Sequence, residues 1–99
     1  MKRTATKQDK AWMQKVSSMG CLICERLGFY GTPSEVHHVH TGWGRDGHQN
    51  TIPLCPEHHR GNTGIHGMGR KAFEREYGIT QAEMLEIVKE RINESLIQH

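Results

Sequence analysis

Aromatic side chains, pairable cysteines and long apolar runs are all scarce in this chain. Six of its 99 residues are aromatic and 34% are hydrophobic, so any core is thin. A domain of this length buries only roughly two-thirds of the surface its unfolded chain exposes, and often needs a disulfide, a metal or oligomerisation. Three cysteines cannot all pair with one another. The charged start, Met1-Lys2-Arg3-Thr4-Ala5-Thr6-Lys7, leads into no apolar run of signal or membrane length. These absences argue against a disulfide framework and against a membrane protein, and favour cytoplasmic metal binding as the account of the cysteines. Repeats and low-complexity stretches are missing too, which leaves a single expected domain over residues 1–99.

A strong net charge is also lacking, at +2 overall, yet the charge is unevenly spread. Residues 1–15 carry Lys2, Arg3, Lys7, Lys10 and Lys15 against Asp9, a net +4. Residues 80–99 carry Glu83, Glu86, Glu90 and Glu94 against Lys89 and Arg91, a net −2. Residues 1–8 are expected to form a flexible basic arm. Such an arm suits a phosphate backbone, and equally a plain solvated tail.

Local patterns predict an α+β domain. Trp12, Val16 and Met19 recur at helical spacing, so a helix is expected from about Gln8 to Met19, ending at Gly20. Residues 20–33 read as turn-rich. Glu35–His40 and Thr51–Cys55 read as short strands, separated by the glycine-rich loop Thr41–Gln49. Pro56 suits the first position of a helix carrying His58 and His59. Gly61, Gly64, Gly67 and Gly69 argue for a bent or looped stretch over 61–69. Arg70–Tyr77 reads as a helix closed by Gly78. Thr80 and Glu83 form a capping box that opens a final helix over 80–97. Met84, Leu85, Ile87, Val88, Ile92 and Leu96 give that helix an apolar face, which is expected to pack on the domain; a homodimer seam is the other use for it.

What the chain has in quantity is histidine. Seven of its eight histidines and all three cysteines lie between Cys21 and His66. Cys21-x2-Cys24 and Cys55-x2-His58 are two knuckles whose spacing lets two side chains reach one tetrahedral ion. Three thiolates and an imidazole suit a structural Zn²⁺ and leave no open position for chemistry. That leaves His37, His38, His40, His48, His59 and His66 in excess. A strand sends His37 and His38 to opposite faces, so one can hold a metal while its neighbour takes a proton. His59 lies about a quarter-turn from His58 on its helix, pointing away from the zinc and toward the strands. His66 can return to the same ion after the glycine-rich turn.

In this arrangement the sequence resembles the HNH, or ββα-metal (His-Me finger), nucleases, whose signature is paired histidines on one strand, an Asn opening a second, and a His on the next helix. The matching pieces are His37-His38, Asn50, and Leu54-Cys55-Pro56-Glu57-His58-His59, with Cys21-x2-Cys24 upstream. More narrowly, Val36-His37-His38, Gly61-Asn62-Thr63-Gly64-Ile65-His66-Gly67 and Phe73-Glu74-Arg75-Glu76-Tyr77-Gly78 resemble the phage recombination-enhancement (Ref) nucleases. The resemblance implies a ββα-metal core over 21–66 with a zinc knuckle, flanked by N-terminal and C-terminal helices. It assigns His37 and His59 to a catalytic divalent metal, His38 to general-base duty and Asn50 to bracing the loop and orienting the base. Several family members place a second helix-borne ligand where Thr63 stands here; Asn62 and His66 are the alternatives, and His66 is preferred.

The implied activity is DNA endonuclease cleavage with a single Mg²⁺ or other divalent ion, leaving a 5′-phosphate and a 3′-hydroxyl. An imidazole titrating near 6.5 is a usable base at cytoplasmic pH. Arg45, Arg60 and Arg70 are candidate phosphate contacts, and Trp43 a candidate stacking residue, each of which also reads as an ordinary surface or packing side chain. His40 and His48 read as substrate or second-metal contacts, or as locally hydrogen-bonded rings. Expected partners are DNA and a RecA-like recombinase filament in a bacterial host cell, with the chain a monomer or homodimer. The alternative function is a zinc-stabilised nucleic-acid-binding module that does not cut.

Overall fold

A computed structural model of the chain describes residues 4–39 and 47–97. In order these residues form α1 (Lys7–Ser18), α2 (Leu22–Arg26), β1 (Glu35–His38), β2 (Thr51–Leu54), α3 (Pro56–Arg60), α4 (Ile65–Met68), α5 (Arg70–Tyr77) and α6 (Gln81–Ile97). The fold is a small α+β arrangement about one two-stranded antiparallel sheet.

Both long helices begin at reciprocal caps. At α1, Thr6 accepts from the Asp9 N–H at 3.0 Å while the Asp9 carboxylate accepts from the Thr6 N–H at 3.0 Å. This box puts Lys7 and Gln8 inside the helix, where the charge pattern alone suggests a flexible arm. Asp9 is buried and also accepts from Gln49 Nε2 at 3.3 Å, which ties the first turn of α1 to the loop entering β2. At α6, Thr80 and Glu83 form the expected box at 2.9 and 3.0 Å. Gly78 closes α5 in the left-handed conformation, as its position predicts.

The strands pair Glu35 with Leu54, His37 with Ile52 and His38 with Thr51. Alternation therefore puts Glu35 and His37 on one face of β1, and Val36 and His38 on the other. All four residues of β2 are buried, with α1, α2 and α6 packed against it. Val16, Ile23, Ile52, Leu54, Phe73, Met84 and Val88 are fully buried at the centre. Each such side chain contributes about 1.5–3 kcal/mol of burial. Met84, Leu85, Val88 and Ile92 of α6 join this core, so the apolar face of that helix is used within the domain.

Two short helices stand where the sequence reads as turns. In α2, Cys21 is the N-cap and its sulfur accepts the Cys24 N–H at 3.4 Å, enough to start a helix of five residues. In α4, glycines that disfavour a helix in isolation are present for clearance. Gly64 has ordinary backbone angles, but a methyl there would fall on the Glu57 carbonyl and lie 2.8 Å from the carbonyl carbon of His58. The chain can cross α3 this closely only at glycine. Gly64→Ala is therefore expected to cost about 1–3 kcal/mol, as over-packing commonly does, read as a lower urea midpoint at unchanged slope.

Candidate metal centre

The two knuckles are built alike. Cys21 and Cys55 are the N-caps of α2 and α3, and their sulfurs accept from the N–H groups of Cys24 and His58, three residues on. A cap and the third residue of its helix lie side by side, which is the physical content of the two-residue spacing. Pro56 holds the first position of α3.

The four side chains meet as a tetrahedral ion requires. A zinc ion with sulfur ligands at about 2.3 Å and nitrogen at about 2.0 Å sets sulfurs about 3.8 Å apart and sulfur–nitrogen pairs about 3.5 Å apart. Cys24 Sγ lies 3.8 Å from Cys55 Sγ. His58 Nδ1 lies 3.6, 3.5 and 3.2 Å from the sulfurs of Cys21, Cys24 and Cys55. The donor set thus fits Zn²⁺ in distance and chemistry. Burial pushes the Cys21 thiol up to about 12, so a thiolate there needs a cation beside it. Burial also holds His58 below the ordinary imidazole value, favouring the neutral ligand form. The Tyr77 ring packs edge-on to His58 at 5.3 Å between centroids, and its hydroxyl donates to the Thr63 carbonyl at 2.8 Å. Nothing in the sequence around Tyr77 announces this contact.

His37, His59 and His66 form a second group, with one ring nitrogen of each within 4.8 Å of the others. Ring centroids are 5.1 Å apart for His37–His59, 5.2 Å for His37–His66 and 4.8 Å for His59–His66. The tight crossing at Gly64 carries His66 back over α3, and consecutive positions on α3 turn His58 to the cysteines and His59 to this cluster. His37 is buried, His59 half-buried and His66 exposed, so the group opens to solvent on one side. An open set of imidazoles can accept a divalent transition metal and leave positions for water or phosphate. Gln81, at the start of α6, sets its Oε1 2.7 Å from His37 Nε2, an acceptor that calls for a proton on that nitrogen.

His38 lies outside the cluster, as strand alternation requires. Its Nε2 is 3.2 Å from His48 Nδ1, so one ring donates to the other. Asn50 is half-buried just before β2, and its carbonyl accepts the Val39 N–H at 2.8 Å. Arg60 is bound to Glu35 through Nε at 2.9 and 3.1 Å, and Arg70 to Glu74 at 2.9 Å. Their side chains nonetheless stay 64% and 52% exposed, so neither guanidinium is closed off by its carboxylate. His40, Trp43 and Arg45 lie outside the described residues, as does His99. The Arg60 and His59 hydrogen bonds draw Glu35 down to about 2. Glu35 and Gln81 are the residues that the sequence reading missed: a lone Glu opening a strand and a Gln beginning a helix carry no signal until the fold sets them against imidazoles.

A Cys3His group and an open histidine cluster, each close enough to hold a metal ion, are carried together by a small α+β frame. The profile described as "Recombination enhancement, RecA-dependent nuclease" matches residues 4–93. The chain belongs to that family. Membership places it among enzymes that act on nucleic acids. No curated protein sequence matches it significantly. No described helix is long and apolar enough to cross a membrane.

Proposed function

We propose that the chain is a metal-dependent DNA endonuclease of the HNH type, with β1, β2 and α3 as a ββα-metal core inside one domain. The observation that carries this reading is the pairing of an open His37–His59–His66 cluster with His38 one residue along the same strand. In it His37, His59 and His66 hold a single catalytic divalent ion, Mg²⁺ or a transition metal. The bound ion supplies stabilisation of negative charge on the phosphate and the leaving oxygen. His38 takes the proton of the attacking water, His48 steadies the His38 ring, and the Asn50 amide braces the loop before β2. Arg60 and Arg70 contribute exposed positive charge for backbone phosphates, and Arg45 of the glycine-rich loop is a third candidate contact. The Cys21–Cys24–Cys55–His58 group keeps a structural Zn²⁺.

The substrate in this reading is DNA presented with a RecA-type recombinase filament in the bacterial cytoplasm, in a phage or prophage setting; the family description supports the nuclease activity and the RecA dependence. Supercoiled plasmid incubated with the protein, RecA on single-stranded DNA, and Mg²⁺ or Mn²⁺ tests it. The expected result is nicking that disappears with chelator or when the filament is left out. DNA binding without cleavage under every ion would instead establish a zinc-stabilised binding module.

A further inference from the structure

The geometry points to Glu35 as a positioning residue for the histidine cluster: its carboxylate holds the His59 Nδ1 proton and turns Nε2 toward the ion. This rests on the reading of His37, His59 and His66 as a metal site. Glu35 Oε1 lies 2.8 Å from His59 Nδ1 across the junction of β1 and α3. An ionised carboxylate only accepts, so this contact fixes the proton on Nδ1 and the lone pair on Nε2. Arg60 clamps the same carboxylate through Nε, so the acceptor is itself held in place. Glu35 shares a strand face with His37. One end of β1 therefore supplies both a proposed ligand and the partner of another. Carboxylate–histidine–metal chains of this kind orient the ring and raise its basicity, and losing the outer partner typically weakens metal binding by about 10–100-fold.

Mn²⁺ titration of the zinc-loaded protein, followed by electron paramagnetic resonance, supplies one readout. Long-range ¹H–¹⁵N spectra of the histidine rings supply a second, independent of cleavage. Wild type is expected to bind one Mn²⁺ and to show His59 protonated on Nδ1. Glu35→Ala is expected to weaken Mn²⁺ by about 10–100-fold and to lose the single tautomer, at unchanged zinc content and melting temperature. Glu35→Gln keeps an oxygen acceptor and is expected to recover most of the affinity. Arg60→Gln, which spares the His59 contact, is expected to cost much less. Mn²⁺ affinity within twofold of wild type in Glu35→Ala, with the His59 tautomer intact, overturns the proposal alone. So does an Arg60→Gln loss equal to that of Glu35→Ala. A wild type that binds no Mn²⁺ beyond its zinc removes the metal site, and the proposal with it.

Discussion

Stripping the Cys21–Cys24–Cys55–His58 group of zinc is expected to unfold the domain rather than soften it. Structural zinc contributes about 10–16 kcal/mol of apparent binding energy, against a total stability of about 5–15 kcal/mol for an ordinary domain. The group ties α2 to the junction of β2 and α3, so its loss frees the C-terminal end of the buried strand and the helix that follows it. Chelator treatment, or Cys24→Ser, should abolish the cooperative thermal transition followed by circular dichroism, with zinc content falling from one per chain to none. A chelated protein melting within about 5 °C of the loaded one, a shift worth roughly 1 kcal/mol, would show that the four side chains merely pack. Acid acts in the same direction, because protons compete with the ion for its ligands. Burial holds His58 below its unfolded value of 6.5. Its contribution is therefore complete above that pH and declines as the pH falls through the folded value.

His38→Ala should be the most damaging substitution that leaves the fold alone. Removing a general base typically lowers a rate by about 10²–10⁴-fold. His38 is only half-buried, on the face of β1 away from the three-histidine cluster. The variant should therefore keep its zinc, its melting temperature and its affinity for DNA while plasmid nicking falls by that factor. His37→Ala should differ in kind, because His37 is buried and bonded to Gln81, so ion affinity and stability should fall together. Cleavage by His38→Ala within about tenfold of wild type, less than any general base supplies, would put the base elsewhere, with His48 the next residue to replace.

How much of this could be read from the residues depended on the range of the interaction. The closeness within Cys21–Cys24 and within Cys55–His58 was legible because a helix cap and the third residue after it are neighbours by local geometry alone. The capping box at Thr80, the Gly78 stop and the strand alternation at His37 and His38 are local in the same sense. The helix α2 was not legible, since it is too short to be stable by propensity and is started by the Cys21 cap. The helix α4 was hidden because its glycines serve clearance against α3 rather than flexibility. Glu35 and Gln81 were invisible for a third reason: their importance lies in partners 24 and 44 residues away in sequence.

The adjacency of His58 and His59 has a consequence for the order in which the protein matures. His59 reaches its place only when α3 is set, and the knuckle formed by Cys55 and His58 is one anchor of α3, beside the Glu35 contacts to His59 and Arg60. With zinc in that group, as proposed, a newly made chain that has not yet captured the ion lacks this anchor for the second cluster. On the proposed reading, a nuclease is born inert and becomes dangerous to DNA only after a metal ion of a different kind has arrived.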